Sequence, residues 1–288
     1  MDVLGKRLET GKMENMKSMR KNYKRTLTIA GSDPSGGAGI QADLKTFSAC
    51  GCFGTSAIVA VVDENTLGVT GVHPVPVDFV TGQIRSVLDD IGADAVKIGM
   101  LHSSELIRAV QQTLSAYDIR NLVLDPVMVA TSGDRLLQQE AISTLRNELI
   151  PYVRVITPNI PEAEILLGRK LTRQEELPGA ARELSCDKRV SVFLKAGHLH
   201  DEDLIDIFYN AESDEIIQLH SKRLATVNTH GTGCTLSSAL TAFLARGSSL
   251  NEAAGSAKEY ITAAITAGAD YRIGHGHGPV HHFFRFWE

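Results

Sequence analysis

Apolar and polar positions along this chain follow two rhythms, and each change of rhythm marks an element. Thr26-Leu27-Thr28-Ile29-Ala30 is a short β-type run, and Ile40, Leu44 and Phe47 then recur at helical spacings of four and three. Between them lies Gly31-Ser32-Asp33-Pro34-Ser35-Gly36-Gly37-Ala38-Gly39, so the opening unit reads strand, glycine-rich turn, helix. Residues 53–62 are rich in β-branched side chains and predict one or two strands ending in Asp63-Glu64-Asn65-Thr66. A helix over 77–88 precedes a strand over 95–98 with the exit Gly99-Met100. Ser103 or Ser104 then caps a helix to about residue 117, with Glu105 in its first turn. A strand over 122–124 leaves through Asp125-Pro126-Val127, and a helix follows over about 136–149. Val153, Val155 and Ile156 mark a strand with the exit Thr157-Pro158-Asn159, and Pro161 opens a short helix. After a helix over 177–185, a strand over 190–194 exits at Lys195-Ala196-Gly197-His198. A hairpin over 203–220 and helices from Thr232 and from about Leu250 complete the pattern.

Strands alternating with helices at this spacing predict an α/β fold, a largely parallel sheet with helices on both faces. No linker, repeat or low-complexity tract interrupts residues 26–288, which read as one domain. Residues 1–25 are polar, rich in Lys and Arg, and lack an apolar segment; they read as a disordered basic extension rather than a signal peptide or a basic arm for an acidic partner. Ligands of such sheets bind beyond the carboxyl ends of the strands. The expected edge therefore collects Asp33, Glu64, Met100, Asp125, Asn159, Lys195 and Gly231.

Composition narrows the function classes. With 43% hydrophobic and 22% charged residues the chain is an ordinary globular sequence, and 288 residues suffice for a large core. A net charge of −5 argues against a nucleic-acid partner, and no apolar run approaches the roughly 20 residues of a membrane span. The four cysteines, Cys50, Cys52, Cys186 and Cys234, show no paired metal spacing and are too few for a disulfide scaffold, which points to the cytoplasm.

The stretch with the most chemistry is Asn228-Thr229-His230-Gly231-Thr232-Gly233-Cys234-Thr235-Leu236-Ser237-Ser238-Ala239. Two glycines lead a polar turn into a helix whose first N–H groups lack intrahelical partners, an arrangement suited to phosphate. Cys234 at that helix start is expected to have a lowered thiol pKa; the structural alternative is a helix cap with a packing cysteine. The chain has no G-x-x-x-x-G-K-[ST] loop and no G-x-G-x-x-G spacing, so the simplest nucleotide folds are not supported. Lysine for phosphate, acids and Asn for hydrated Mg²⁺, and a helix N-terminus for the transferring group together point to phosphoryl transfer.

Several segments in order match one family: Ala30 through Asp43, Lys97-Ile98-Gly99-Met100-Leu101, Leu124-Asp125-Pro126-Val127-Met128, Thr157-Pro158-Asn159 with Glu162 and Glu164, Lys195-Ala196-Gly197-His198, Asn228 through Ser238, and the tail Gly274 through Val280. On these the chain resembles the bacterial hydroxymethylpyrimidine/phosphomethylpyrimidine kinases of thiamine biosynthesis, in the ribokinase superfamily. The resemblance implies ATP-dependent phosphorylation of the hydroxymethylpyrimidine and then of its monophosphate, with Mg²⁺, in a homodimer. It implies that Gly31, Asp33, Ala38, Glu64 and Met100 bind the pyrimidine, and that Gly231, Thr232, Gly233 and Cys234 form the catalytic turn. Asp125, Asn159 and Lys195 would serve the nucleotide, with Asp125 and Glu162 arranging Mg²⁺ through water. On the residues alone, Asp125 and Asn159 also suit helix caps and Lys195 a solvated strand end. His275, His277, His281 and His282 read as solvated rather than as a metal cluster. Glu64 stands where the family usually has Gln, and an ionised Glu only accepts hydrogen bonds. This leaves the ring open, with pyridoxal or pyridoxine phosphorylation as an alternative, and a non-catalytic pyrimidine-binding protein as a second.

Overall fold

The computed structural model describes residues 21–128 and 139–287. Its strands are β1 (Arg25–Ala30), β2 (Phe53–Ile58), β3 (Ala60–Asn65), β4 (Gly68–Pro74), β5 (Ala95–Ile98), β6 (Leu122–Leu124), β7 (Val155–Ile156), β8 (Ser191–Leu194), β9 (Asp203–Asn210) and β10 (Glu215–Lys222). The helices are α1 (Gly39–Ala49), α2 (Val77–Asp90), α3 (Ser104–Leu114), α4 (Gln139–Thr144), α5 (Ile160–Leu167), α6 (Leu177–Leu184), α7 (Thr232–Ala245) and α8 (Leu250–Gly268). Eight strands form one sheet in the order β2-β1-β5-β6-β7-β8-β9-β10, parallel from β2 to β8 and antiparallel through β9 and β10.

Successive strand residues face opposite sides, and the two sides carry two cores. Leu27, Ile29, Val96, Ile98, Leu122, Leu124, Ile156, Val192 and Leu194 pack under α2 to α6. Ala95, Val123, Val155, Phe193 and Phe208 pack under α1, α7 and α8. Each fully buried Val, Leu or Ile contributes about 1.5–3 kcal/mol relative to exposure. Polar or charged residues are therefore expected only at the strand ends, which makes Thr28 and Lys97 on the α1/α7 side conspicuous: they are 0% and 1% exposed.

The predicted α/β architecture is present, with particular departures. Arg25, assigned to the N-terminal extension, is the first residue of β1, and its guanidinium pairs with Asp94 at 2.9 Å. The rest of that extension lies largely outside the described residues. So does the start of the helix expected over 136–149; its described part is α4, followed by a π turn at Leu145–Leu149. The region 53–62 holds two strands, and β3 leaves the main sheet to pair with β4, which the pattern did not indicate. Glu64 therefore stands on a two-stranded flap rather than at the end of a main-sheet strand. The register shifts between Asp63 and Glu64, a bulge that re-aims the side chain. His282, expected to be solvated, is 5% exposed.

Candidate active site

The site is built where strand exits meet the start of α7. After β1, Asp33 folds the glycine-rich turn around its own carboxylate. Asp33 accepts from the Ser35 amide (2.7 Å), the Ser35 hydroxyl (2.9 Å), the Gly37 amide (3.1 Å) and the Ala38 amide (2.6 Å). It also meets His230 Nε2 at 2.9 Å. Burial alone would raise its pKa, but His230 and these donors outweigh it and hold the carboxyl well below its usual range. Expected among the substrate-binding residues, Asp33 is only 1% exposed, and its oxygens are taken up by the turn. What it offers the site is the backbone it shapes rather than a free carboxylate.

Two glycines bring this turn against the start of α7. Gly231 has φ +76°, a left-handed backbone that side chains resist, and a Cβ there would overlap the Gly37 carbonyl. A Cβ on Gly37 would in turn overlap the His230 ring. Gly31, meanwhile, abuts Met100: a Cβ on it would lie 3.4 Å from the Met100 Cε and 3.8 Å from Val62. Gly31, Ala38, Met100 and Gly231 thus come together as expected. On the flap side Glu64 Oε1 is 4.0 Å from His230 Nε2. Burial and the nearby Asp33 raise the Glu64 pKa, with His230 opposing. Burial works to lower the His230 pKa, but Asp33 and Glu64 prevail and raise it. Among the described residues Asp33, Glu64 and His230 also form a cluster within reach of one ion. Asp33 is already saturated, so the trio fits a hydrogen-bonded Asp33–His230 pair with Glu64 beside it better than a metal centre.

The opposite side of α7 faces the nucleotide candidates. A Cβ on Gly233 would lie 3.2 Å from Lys195 Nζ and 3.5 Å from Asp125 Oδ2. Lys195 donates to Asp125 Oδ1 at 3.2 Å, while Thr157 (3.0 Å) and Ser237 (3.3 Å) donate to the same carboxylate. Burial would lower the Lys195 pKa, but Asp125 and Glu162 override it and keep the ammonium charged. Burial would likewise raise Asp125, and Lys195 and Lys97 reverse this. Lys195 is thus a half-buried, paired cation rather than a solvated strand end. Asn159 and Lys195 stand side by side through a parallel bridge.

Asn159 caps α5 in a reciprocal box: its side chain accepts from the Glu162 amide (2.9 Å), and Glu162 accepts from the Asn159 amide (2.8 Å). Burial and Asp125 push Glu162 up to about 7, with Lys195 opposing. As a donor set for Mg²⁺, Asp125 and Glu162 fit only through water. Both Asp125 oxygens already accept hydrogen bonds, and one Glu162 oxygen caps Asn159.

Cys234 reverses its expectation. Burial pushes the thiol up to about 12; Lys97 pulls down, while Asp43 and Asp125 push up. The helix N-terminus does not prevail over desolvation here.

Sequence reasoning missed several polar residues around α7: Asp43, Lys97, His230, Ser237 and Ser238. The available signal was a lysine inside Ala95-Val96-Lys97-Ile98, since a charge in an apolar strand requires a buried partner. The C-terminal tail was also missed as part of the site's frame. His277 N donates to the Thr66 carbonyl at 2.9 Å and His230 N to the Gly278 carbonyl at 3.0 Å, joining flap and turn.

With this geometry, the likenesses to known proteins become specific. A model of the phosphomethylpyrimidine kinase family matches residues 33–281. The hydroxymethylpyrimidine/phosphomethylpyrimidine kinase of Escherichia coli (strain K12) is 47% identical over 262 residues, 91% of this chain and 98% of that protein. The crystal structure of phosphomethylpyrimidine kinase from Clostridium difficile 630 is 43% identical, with a TM-score of 0.73, over 84% of this chain and 99% of that one. Bacillus subtilis pyridoxal kinase in its ADP complex aligns at 37% identity and a TM-score of 0.84 over 92% of this chain and 100% of that one. Residues 33–281 cover the turn of Asp33, the Asp125–Lys195 pair and the Gly231–Cys234 segment alike, and the chain belongs to the phosphomethylpyrimidine kinase family.

Proposed function

We propose that this chain transfers the γ-phosphoryl group of ATP to the hydroxymethyl oxygen of 4-amino-5-hydroxymethyl-2-methylpyrimidine, and then a second to the resulting monophosphate, in thiamine biosynthesis. The observation that carries this reading is the placement of Gly233, in the Gly231–Cys234 turn, against the Lys195–Asp125 pair. Helix-start amides beyond Thr232, whose own amide bonds the Thr229 carbonyl at 3.3 Å, and a fixed ammonium offer a preorganised environment for a transferring phosphoryl group.

In this reading Gly31, Ala38 and Met100 wall the ring pocket, and Glu64 accepts from the exocyclic amine. Its oxygens accept no hydrogen bond from the other described residues, which suits a ligand donor. The hydroxymethyl oxygen forms its bond to the γ-phosphorus as the bond to the bridging oxygen of ADP breaks. The hydroxyl proton goes to a phosphate oxygen, either directly or through the Cys234 S–H, which gives up its own proton as it receives one. Lys195 faces the phosphates, and Asp125 holds it there. Mg²⁺, reached through water by Asp125 and Glu162, would neutralise phosphate charge.

The test is a coupled ADP-release assay with the hydroxymethylpyrimidine, its monophosphate and pyridoxal. Turnover of both pyrimidines, well above that of pyridoxal, is expected. Turnover of pyridoxal alone would replace the reading with a pyridoxal kinase, and binding without turnover would replace it with a pyrimidine-binding protein.

A further inference from the structure

Beneath α7 lies a second buried ion pair that phosphate handling does not use. Lys97 Nζ donates to both oxygens of Asp43, at 3.0 and 2.8 Å, with the two side chains 1% and 0% exposed. Thr28 donates to Asp43 Oδ2 at 2.6 Å and Ser238 to Asp43 Oδ1 at 2.7 Å. The four residues come from β1, α1, β5 and α7, so the cluster ties two helices to two adjacent strands. Replacing such a pair with apolar residues is often neutral or stabilising, so stability alone is a weak reason for it. Its position is informative. Lys97 lies two residues before the β5 exit, and a Cβ on Gly99 would sit 3.0 Å from its ammonium.

The pair also has a counterpart. The Ser237 hydroxyl lies 3.3 Å from Asp125, the partner of Lys195, and shares its one proton between that carboxylate and the Gly233 and Cys234 carbonyls at 3.0 and 3.1 Å, while its neighbour Ser238 donates to Asp43, the partner of Lys97. Consecutive serines in the second turn of α7 thus reach two separate lysine–aspartate pairs. A helix held at one such point can rock about it, whereas two points on adjacent residues fix its axial position and rotation together. The segment so fixed begins at Gly231 and includes Cys234. We propose that the Lys97–Asp43 pair is a positioning element for phosphoryl transfer, setting through Ser238 where the first turn of α7 stands against the sheet.

The inference rests on the proposed kinase reading for its consequence, but its geometry can be tested without turnover. Ser238→Ala removes only the hydroxyl and puts the best helix former in its place, so folding is not at risk. Iodoacetamide modification of Cys234, followed by peptide mass spectrometry of the full chain, reads the placement of that turn directly. Ser238→Ala should react several-fold faster than the parent. In the ADP-release assay it should lose about tenfold in kcat, the scale of one hydrogen bond to a charged group, with both KM values within about twofold. Asp43→Asn should act in the same direction, and its loss should overlap with that of Ser238→Ala in the double variant rather than add to it. An alkylation rate in Ser238→Ala equal to the parent's, even with a lowered Tm, would overturn the inference. Full additivity of the two variants would do so as well. If the parent turns over no pyrimidine, the kinase reading falls, while the alkylation comparison still decides the positioning role.

Discussion

Cys234 offers the sharpest test of how the turn works. The thiol is pushed up to about 12 by burial, from an ordinary value of 9.0, because the Lys97 ammonium does not offset the lost hydration. At neutral pH such a group is ionised in roughly one molecule in 10⁵, so it cannot serve as a pre-formed thiolate base. It can take the hydroxymethyl proton only as a relay, handing its own S–H proton to a phosphate oxygen in step with phosphoryl transfer. Positioned acid–base groups contribute about 10²–10⁴-fold, so Cys234→Ala should lower kcat on that scale if Cys234 takes the proton. Cys234→Ser should keep the fold and ATP binding while lowering kcat, since a hydroxyl is a far weaker acid than a thiol. The assay is ADP release at saturating ATP and pyrimidine, with iodoacetamide reactivity followed from about pH 7 to about pH 10. No inflection in Cys234 reactivity is expected in the range where an ordinary thiol titrates. Turnover equal to the parent's in both variants would reduce Cys234 to a packing residue, and an inflection near pH 8–9 would refute the desolvation argument.

Four further outcomes follow from the same geometry. Lys195→Ala should raise KM for ATP by about tenfold or more and KM for the pyrimidine far less, and should lower Tm because it strands buried Asp125; equal losses for both substrates would refute the phosphate role. Gly233→Val should lose about 10²–10³ in kcat, because its side chain falls on Lys195 and disturbs the amide donors, and parent-like turnover would refute the anion-hole reading of the turn. Glu64→Ala should raise KM for the pyrimidine by about tenfold with KM for ATP unchanged, and an unchanged pyrimidine KM would remove Glu64 from the ring pocket. His282, lowered to about 4 from 6.5 chiefly by burial, is neutral in the folded chain, so its stabilisation is present above pH 6.5 and lost as pH falls towards 4. Up to about 3 kcal/mol is involved, so Tm measured between those limits should fall less in His282→Asn than in the parent, and parallel curves would exclude His282 as the group responsible.

Much of the fold was legible because the central strands β1 and β5 to β8 obey one constraint: they are buried on both faces, giving short apolar runs with polar exits. Asp125, Asn159 and Lys195 were identified as strand exits, and the sheet places them side by side. What the pattern did not reveal depends on tertiary pairing. The strand β4, in Gly68-Val69-Thr70-Gly71-Val72-His73-Pro74, carries two glycines and a proline, weak local signals that only pairing with β3 overrides. The Cys234 pKa was misjudged because a helix-terminus argument omits the depth at which the terminus is buried. The roles of Asp43 and Ser238 were invisible for a related reason. A hydroxyl or carboxylate on an apolar helix face has no local signature, and its partners are 195 residues apart in the chain.

The tail shows how such distant contacts shape the site. Gly276 and Gly278 leave no room for a side chain, since a Cβ on either would overlap the Thr66 carbonyl or Asn228 Oδ1. Asn228 Nδ2 in turn donates to the carbonyls of Gly268 (2.7 Å) and Tyr271 (2.6 Å), so the segment leading into Gly231 is secured at the end of α8. Further along, Thr235 Oγ1 donates to the Gly231 carbonyl at 2.8 Å, which leaves its oxygen as acceptor for His282 Nε2 at 3.1 Å. This assigns the His282 proton to Nε2, consistent with a neutral ring. The tail therefore grips Thr66, two residues from Glu64, and also the turn that begins α7. In the proposed reading, ring recognition by the flap and phosphoryl transfer at the turn share one mechanical support, and loosening the tail should disturb both together rather than either alone.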